Sequence, residues 1–144
     1  MLPLVEASYA QESHEGIIVQ VATRSLQRPA VLGIGVAVSR MPNEAKELWA
    51  LKDRSSGDQT IDDAAAIKLT LCKAVEREWC NISIQVRNKA LLKQLKTGKS
   101  TDCRMTTILE DILSLKSLFQ MCSFCLDSYD DNDVCANVNS YALG

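Results

Sequence analysis

The sequence predicts a single α/β domain built on a mixed five-stranded sheet with helices on its faces. Three strand-like runs follow one another with only short polar turns between them, which is typical of an antiparallel meander. Two further strand-like runs each follow a helical pattern, so we expect them to join the sheet through helical connections. The chain has 144 residues and 47% of them are apolar, which is enough for one core of this kind.

The first three strands are predicted from dense β-branched and apolar runs. Residues 17–22 are apolar at nearly every position, as in a strand buried on both faces. Residues 31–38 contain Gly33 and Gly35, but no helix opens behind them. These glycines therefore favour a close-packed strand over a phosphate-binding loop. Residues 47–52 form the third predicted strand.

A helix of about five turns is predicted from residue 61, because its apolar residues share one broad arc at about 100° per residue. We expect Thr60 to cap it, with Asp62 on the polar side and Asp63 at the border of the apolar side. The arc consists of Ile61, Ala64, Ala65, Ile67, Leu71, Cys72, Ala74, Val75 and Trp79.

The second half of the chain alternates strands and helices. Residues 82–86 are apolar at alternate positions, as expected of a strand. A short helix is predicted over residues 89–95 and an amphipathic helix over residues 105–119. Residues 121–126 form the fifth predicted strand, and residues 131–143 the final helix.

The composition narrows the classes of function. There is no run of about 18 apolar residues, so no membrane span is expected. The first residues have no basic segment typical of a signal peptide, so we expect an intracellular protein, in the nucleus or the cytoplasm. We also expect the protein to be a monomer. Residues 1–15 are predicted to be an N-terminal arm and residues 16–144 the domain. A net charge of −2 does not indicate strong non-specific nucleic-acid binding, although a local basic face is compatible with it.

The six cysteines are predicted to be reduced and to serve as small core residues. Cys122 and Cys125 have CxxC spacing, but on a strand their side chains point to opposite faces. No second closely spaced pair completes a zinc site, and the one histidine, His14, lies on the polar arm.

Basic residues are concentrated after the fourth predicted strand, with Asp102 the only acid among them. Such cations can contact phosphates of a nucleic acid, and a solvated helix face is the alternative interpretation. No aromatic residues interleave with them to stack on bases. The predicted nucleic-acid-binding residues are Arg87, Lys89, Lys93, Lys96, Lys99 and Arg104.

Four segments in the right order resemble the plant reverse-transcriptase-like domain of the ribonuclease H-like superfamily, and the likeness extends over residues 16–144. Residues 33–40, GIGVAVSR, resemble its second-strand motif GIGVVIRD. Residues 63–67, DAAAI, resemble its first-helix motif ExxAL. Residues 87–95, RNKALLKQL, resemble DSKLVVEQL, and residues 128–142 resemble the closing PREDNRRADALANLA.

The resemblance implies a domain of retroelement origin whose relatives cleave the RNA strand of RNA–DNA hybrids with two Mg²⁺ ions. Such ions require hard oxygen ligands, which the family supplies as four carboxylates. The matching positions here are Ala22, Asp63, Arg87 and Ala136, so only Asp63 keeps its carboxylate. No register shift restores the first, because no Asp or Glu lies between Glu15 and Glu44.

We therefore expect no tightly bound Mg²⁺, with Asp63 the one metal ligand at most. Asp133, one turn before Ala136, is the other surviving candidate acid. Arg87 is expected to form an ion pair with Asp63, or with Asp133 if Asp63 turns outward.

The prediction is a degenerate, catalytically inactive ribonuclease H-like domain that binds RNA–DNA hybrids weakly or contacts a protein. The alternatives are an active metal-dependent hybrid ribonuclease and a mobile-element remnant without activity.

Overall fold

A computed structural model describes residues 16–40 and 47–127. The N-terminal arm, the final helix predicted over residues 131–143, and both Asp133 and Ala136 lie outside these residues. The elements are, in order, β1 (Ile17–Gln27), β2 (Ala30–Ser39), β3 (Glu47–Arg54), α1 (Gln59–Glu76), β4 (Asn81–Val86), α2 (Lys89–Thr97), α3 (Cys103–Lys116) and β5 (Met121–Leu126).

The five strands form one mixed sheet, as predicted, and their order in the sheet is β3-β2-β1-β4-β5. Strands β1, β2 and β3 are antiparallel neighbours, whereas β4 runs parallel to both β1 and β5. Gln20 of β1 pairs with Gln85 of β4, which in turn pairs with Cys125 of β5. The carboxyl ends of β4 and β5 therefore meet at the same edge of the sheet, where open α/β sheets usually bind ligands.

The main core lies between the sheet and the three helices. Alternate residues of each strand point to this side, here called the helix face. The opposite side, here called the second face, buries Ala22 and Ala37. The helix-face core includes Val19, Val21, Ile34, Val36, Ile67, Leu71, Ile82, Ile84, Leu91, Leu95, Leu109 and Ile112.

The start of α1 differs from the prediction. Asp58, not Thr60, is the N-cap, and its carboxylate accepts hydrogen bonds from the backbone N–H groups of Thr60 and Ile61. Asp62, predicted on the polar side, is only 2% exposed. Its carboxylate accepts from the Ser55 hydroxyl at 2.7 Å and from the Ser56 N–H at 2.8 Å. These donors replace the water that burial removes.

Strand β1 runs five residues past its predicted end, because its ladder with β2 continues to the pair Gln27–Ala30. The polar residues after Ala22 resemble a turn in sequence but form the solvent-exposed end of a hairpin. Gly33 and Gly35 lie inside β2, which confirms the strand interpretation.

The five described cysteines are free, as predicted. The expectation that they all serve as core residues is wrong for Cys80 and Cys103, which are exposed. Cys72, Cys122 and Cys125 are partly buried, and burial raises the pKa of the Cys122 thiol to about 11. Among the described helices, none has both the length and the apolar character to cross a membrane.

Candidate functional site

A cavity of about 420 Å³ opens where β1 and β4 meet the first turns of α1 and α2. Three positions predicted from the family resemblance, Ala22, Asp63 and Arg87, lie in its wall. Residues that are 65 positions apart in the sequence therefore line the same cavity. The remaining lining residues are Val21, Thr23, Gln59, Ile67, Gln85, Val86 and Asn88.

Both oxygens of the Asp63 carboxylate accept hydrogen bonds from neutral side chains. One oxygen accepts from the Thr23 hydroxyl and from the Gln59 amide, the latter at 2.7 Å. The other accepts from the Asn88 amide at 3.0 Å. A carboxylate only accepts hydrogen bonds when ionised, so three donors suit its charged form.

The local structure explains why these donors point at Asp63. Gln59 lies four residues earlier on α1, which places both side chains on the same side of the helix. Asn88 is the N-cap of α2, and its carbonyl oxygen accepts from the Leu91 N–H at 3.1 Å. Since the carbonyl is held by the helix end, the amide NH₂ is directed at Asp63.

Arg87 forms a buried ion pair with Asp127, a residue that the sequence analysis did not single out. The Arg87 Nε lies 2.9 Å from the Asp127 Oδ2, and the two side chains are 12% and 3% exposed. The Gln20 amide is a further, longer donor to Asp127 at 3.5 Å. The predicted partners of Arg87 were Asp63 and Asp133. The contacts of Asp63 described above are with Thr23, Gln59 and Asn88, and Asp133 lies outside the described residues.

The sheet register explains this pairing. Val86 pairs with Leu126 in the parallel β4–β5 ladder, and the Asp127 N–H donates to the Val86 carbonyl at 2.9 Å. The residues following these two strands, Arg87 and Asp127, therefore lie side by side on the second face. The sequence does contain an acid directly after the fifth strand. Recognising it as the partner of Arg87 requires knowing that β4 and β5 are neighbours in the sheet.

The described residues do not fit a pair of Mg²⁺ ions. Within residues 16–40 and 47–127, no three side chains of His, Cys, Asp or Glu are grouped closely enough to hold a metal ion. Asp63 faces hydrogen-bond donors, and Asp127 is already neutralised by a guanidinium group. Mg²⁺ requires several oxygen ligands in a near-ideal octahedron, so no catalytic step through a metal follows from this arrangement.

Three lysines form a row on α2 directly after the cavity. Lys89, Lys93 and Lys96 are exposed and recur at helical spacing, whereas Leu91 and Leu95 of the same helix are buried. These three lysines, here called the α2 lysine row, form no ion pair with any other residue that the structure describes. The row covers about 10 Å at 1.5 Å per residue.

The other predicted basic residues differ from the row. Arg104 contacts Asp102 at 3.0 Å and Asp58 at 3.5 Å, and the Arg104 guanidinium lowers the pKa of the Asp102 carboxyl group. Lys99 is exposed in the loop before α3. Arg87 forms the ion pair with Asp127 that is described above.

Several solved structures with a similar fold are ribonucleases H, although no protein-family model and no curated protein sequence matches the chain. Ribonuclease H1 from the archaeon Halobacterium salinarum NRC-1 superposes with a TM-score of 0.76 at 13% identity, over 88% of this chain and 96% of that one. The N-terminal ribonuclease H domain of a Mycobacterium tuberculosis protein gives a TM-score of 0.74 at 13% identity, over 89% and 93%.

A third similar structure is LC11 ribonuclease H1, from a compost metagenome, solved in complex with an RNA/DNA hybrid. It gives a TM-score of 0.73 at 12% identity, over 89% of this chain and 99% of that one. The chain therefore has the ribonuclease H-like fold, and identities this low show the fold alone.

Proposed function

We propose that this domain binds nucleic acid of the RNA–DNA hybrid class and does not cleave it. The observation that carries the proposal is the replacement of charge at the cavity. Arg87 places a guanidinium where the resembled family has a carboxylate, and neutral amides donate to Asp63, the acid that remains among the four family positions.

The absence of cleavage follows from the chemistry of hybrid hydrolysis. Two-metal hydrolysis needs carboxylates to hold the ions that activate water and stabilise the leaving oxygen. Arg87 offers no metal-ligand atom where the resembled family has a carboxylate, and Ala22 offers none either. Asp63 would have to exchange three good hydrogen bonds for one metal contact.

Binding is supported by the α2 lysine row, which begins one residue after Asn88 in the cavity wall. Phosphate contacts need only cations at suitable spacing, so they are independent of the lost carboxylates. Exposed lysines without an acidic partner among residues 16–40 and 47–127 suit this role. The hybrid bound to LC11 ribonuclease H1 shows that a protein of this fold takes such a ligand.

Fluorescence anisotropy with a labelled RNA–DNA hybrid tests the binding proposal. The triple variant Lys89→Ala/Lys93→Ala/Lys96→Ala should bind more weakly, with the slope of log affinity against log salt reduced by about 3. The matched control is Lys68→Ala/Lys73→Ala/Lys116→Ala, which removes the same charge from α1 and α3. Equal loss in both triple variants, or none in either, would contradict a role for the row.

A further inference from the structure

The antiparallel strands β1, β2 and β3 extend beyond the candidate site as a ribbon whose outer end is exposed. Residues 24–30 are all exposed, as are residues 52–54 at the end of β3. The β1–β2 and β2–β3 ladders hold this region in the sheet. The outer end is therefore an available surface rather than part of the core.

Three cations of this outer end lie on the same face of the sheet. Arg24 of β1 pairs with Gly33 of β2, which pairs with Lys52 of β3. Two residues further out, Val31 pairs with Arg54. Because cross-strand partners point to the same face and side chains alternate along a strand, all three cations lie on the second face. Arg24, Lys52 and Arg54 are here called the ribbon cations.

Positive charge exceeds negative charge on this surface among the described residues. Asp53 lies between Lys52 and Arg54 but pairs with the buried Leu32, so its side chain points to the opposite face. Its carboxylate accepts the Arg54 backbone N–H at 2.8 Å. Neither Lys52 nor Arg54 forms an ion pair with any residue in the described ranges. Among the described residues, Lys52 and Arg54 therefore give the outer ribbon net positive charge on the second face.

The ribbon cations are continuous with the candidate site. Arg24 follows Ala22 by two residues on the same face, a distance of about 7 Å along a strand. The sheet order places the ribbon on one side of the cavity and β4, which leads into α2, on the other. The cavity thus has basic residues on both sides.

We infer that the ribbon cations form a second phosphate-binding surface, so that one nucleic-acid duplex contacts both the ribbon and the α2 lysine row. This inference rests on the proposed function and extends it to a second part of the domain. The backbones of β1 and β3 are about 10 Å apart, because each lies one strand spacing from β2. Cations spread this widely suit a row of phosphates better than one small anion.

A duplex suits the ribbon better than a single strand. Single-strand surfaces combine cations with aromatic side chains on which bases stack. Residues 16–40 and residues 50–60 contain no Phe, Tyr or Trp. The surface can therefore contact backbone phosphates but offers no platform for unpaired bases.

The test is hybrid binding by the double variant Lys52→Gln/Arg54→Gln over a salt series. Two lost phosphate contacts should reduce the salt slope by about 2 and weaken binding roughly 2- to 30-fold. The control Lys73→Gln/Lys116→Gln removes the same charge from α1 and α3 and should leave both quantities unchanged. Both ribbon positions are exposed, so the melting temperature should stay that of the parent, which separates lost contacts from lost folding.

The binding measurements distinguish failure of this inference from failure of the proposed function. If the parent protein and the α2 triple variant behave as proposed but the ribbon double variant binds like the parent, the second surface is refuted alone. If the parent does not bind the hybrid, the proposed function fails and the inference fails with it. Single-stranded DNA that binds as tightly as the hybrid, with equal sensitivity to Lys52 and Arg54, would overturn the choice of a duplex.

Discussion

Removing Arg87 should destabilise the fold strongly, because Asp127 would be left as a buried carboxylate without its cation. The pair is 2.9 Å apart and its side chains are only 12% and 3% exposed. Breaking a buried ion pair from one side typically costs about 3–5 kcal/mol, since the remaining charge stays away from water. For Arg87→Met we therefore expect a loss of about 3 kcal/mol or more in the free energy of unfolding.

A double-mutant cycle measured by urea denaturation separates the pair from the general effect of substitution. Asp127→Asn alone should also destabilise, because it leaves the guanidinium buried. The double variant Arg87→Met/Asp127→Leu should recover much of the loss, because apolar replacements of a buried pair are often neutral or better. A loss below about 1 kcal/mol for Arg87→Met, in the range of exposed pairs, would contradict a buried, strongly coupled pair.

Three further predictions concern single side chains. Burial raises the pKa of Cys122 to about 11, so only about one Cys122 thiol in a thousand would be ionised at pH 8. Iodoacetamide should therefore alkylate Cys122 far more slowly than the exposed Cys80, and equal rates by mass spectrometry would contradict this. The hydrogen bond from Arg77 lowers the pKa of Glu47 below its usual 4.5. The stabilisation from this hydrogen bond is therefore present above pH 4.5 and is lost as pH falls through the lowered pKa of the folded protein. Glu47→Gln should therefore destabilise by at most about 1 kcal/mol at pH 7, and urea denaturation should show this difference shrinking below about pH 4; a difference that persists in acid would oppose it. Asn88→Ala removes the α2 cap and should cost about 0.5–2 kcal/mol in the same assay, and an unchanged free energy of unfolding would argue against the cap.

Local patterns predicted most of the architecture. Strand β5 has the bounds expected from sequence, Met121–Leu126. Strand β1 was predicted too short because its outer half is held by pairing with β2, not by burial. Pairing is a contact between distant residues, and a polar strand end exposed to water has no apolar alternation to show it. The burial of Asp62 depends likewise on Ser55 and Ser56, which precede α1 and donate hydrogen bonds to its carboxylate.

The candidate site was predicted in part. Family resemblance placed Ala22, Asp63 and Arg87 together, and they do line one cavity. The partner of Arg87 required the parallel register of β4 and β5, because it is Asp127 at the end of the neighbouring strand. The donors to Asp63 come from three separate elements, so no local spacing in the sequence indicates them.

The most direct test of the proposed loss of cleavage is an assay with an RNA–DNA hybrid labelled on its RNA strand, with Mg²⁺ and then Mn²⁺. The parent protein and Asp63→Asn are compared at concentrations where anisotropy shows the parent bound to the hybrid. We expect the RNA strand to stay intact with both proteins and both metals, while the parent protein binds the hybrid. Metal-dependent cleavage by the parent that disappears in Asp63→Asn would contradict it.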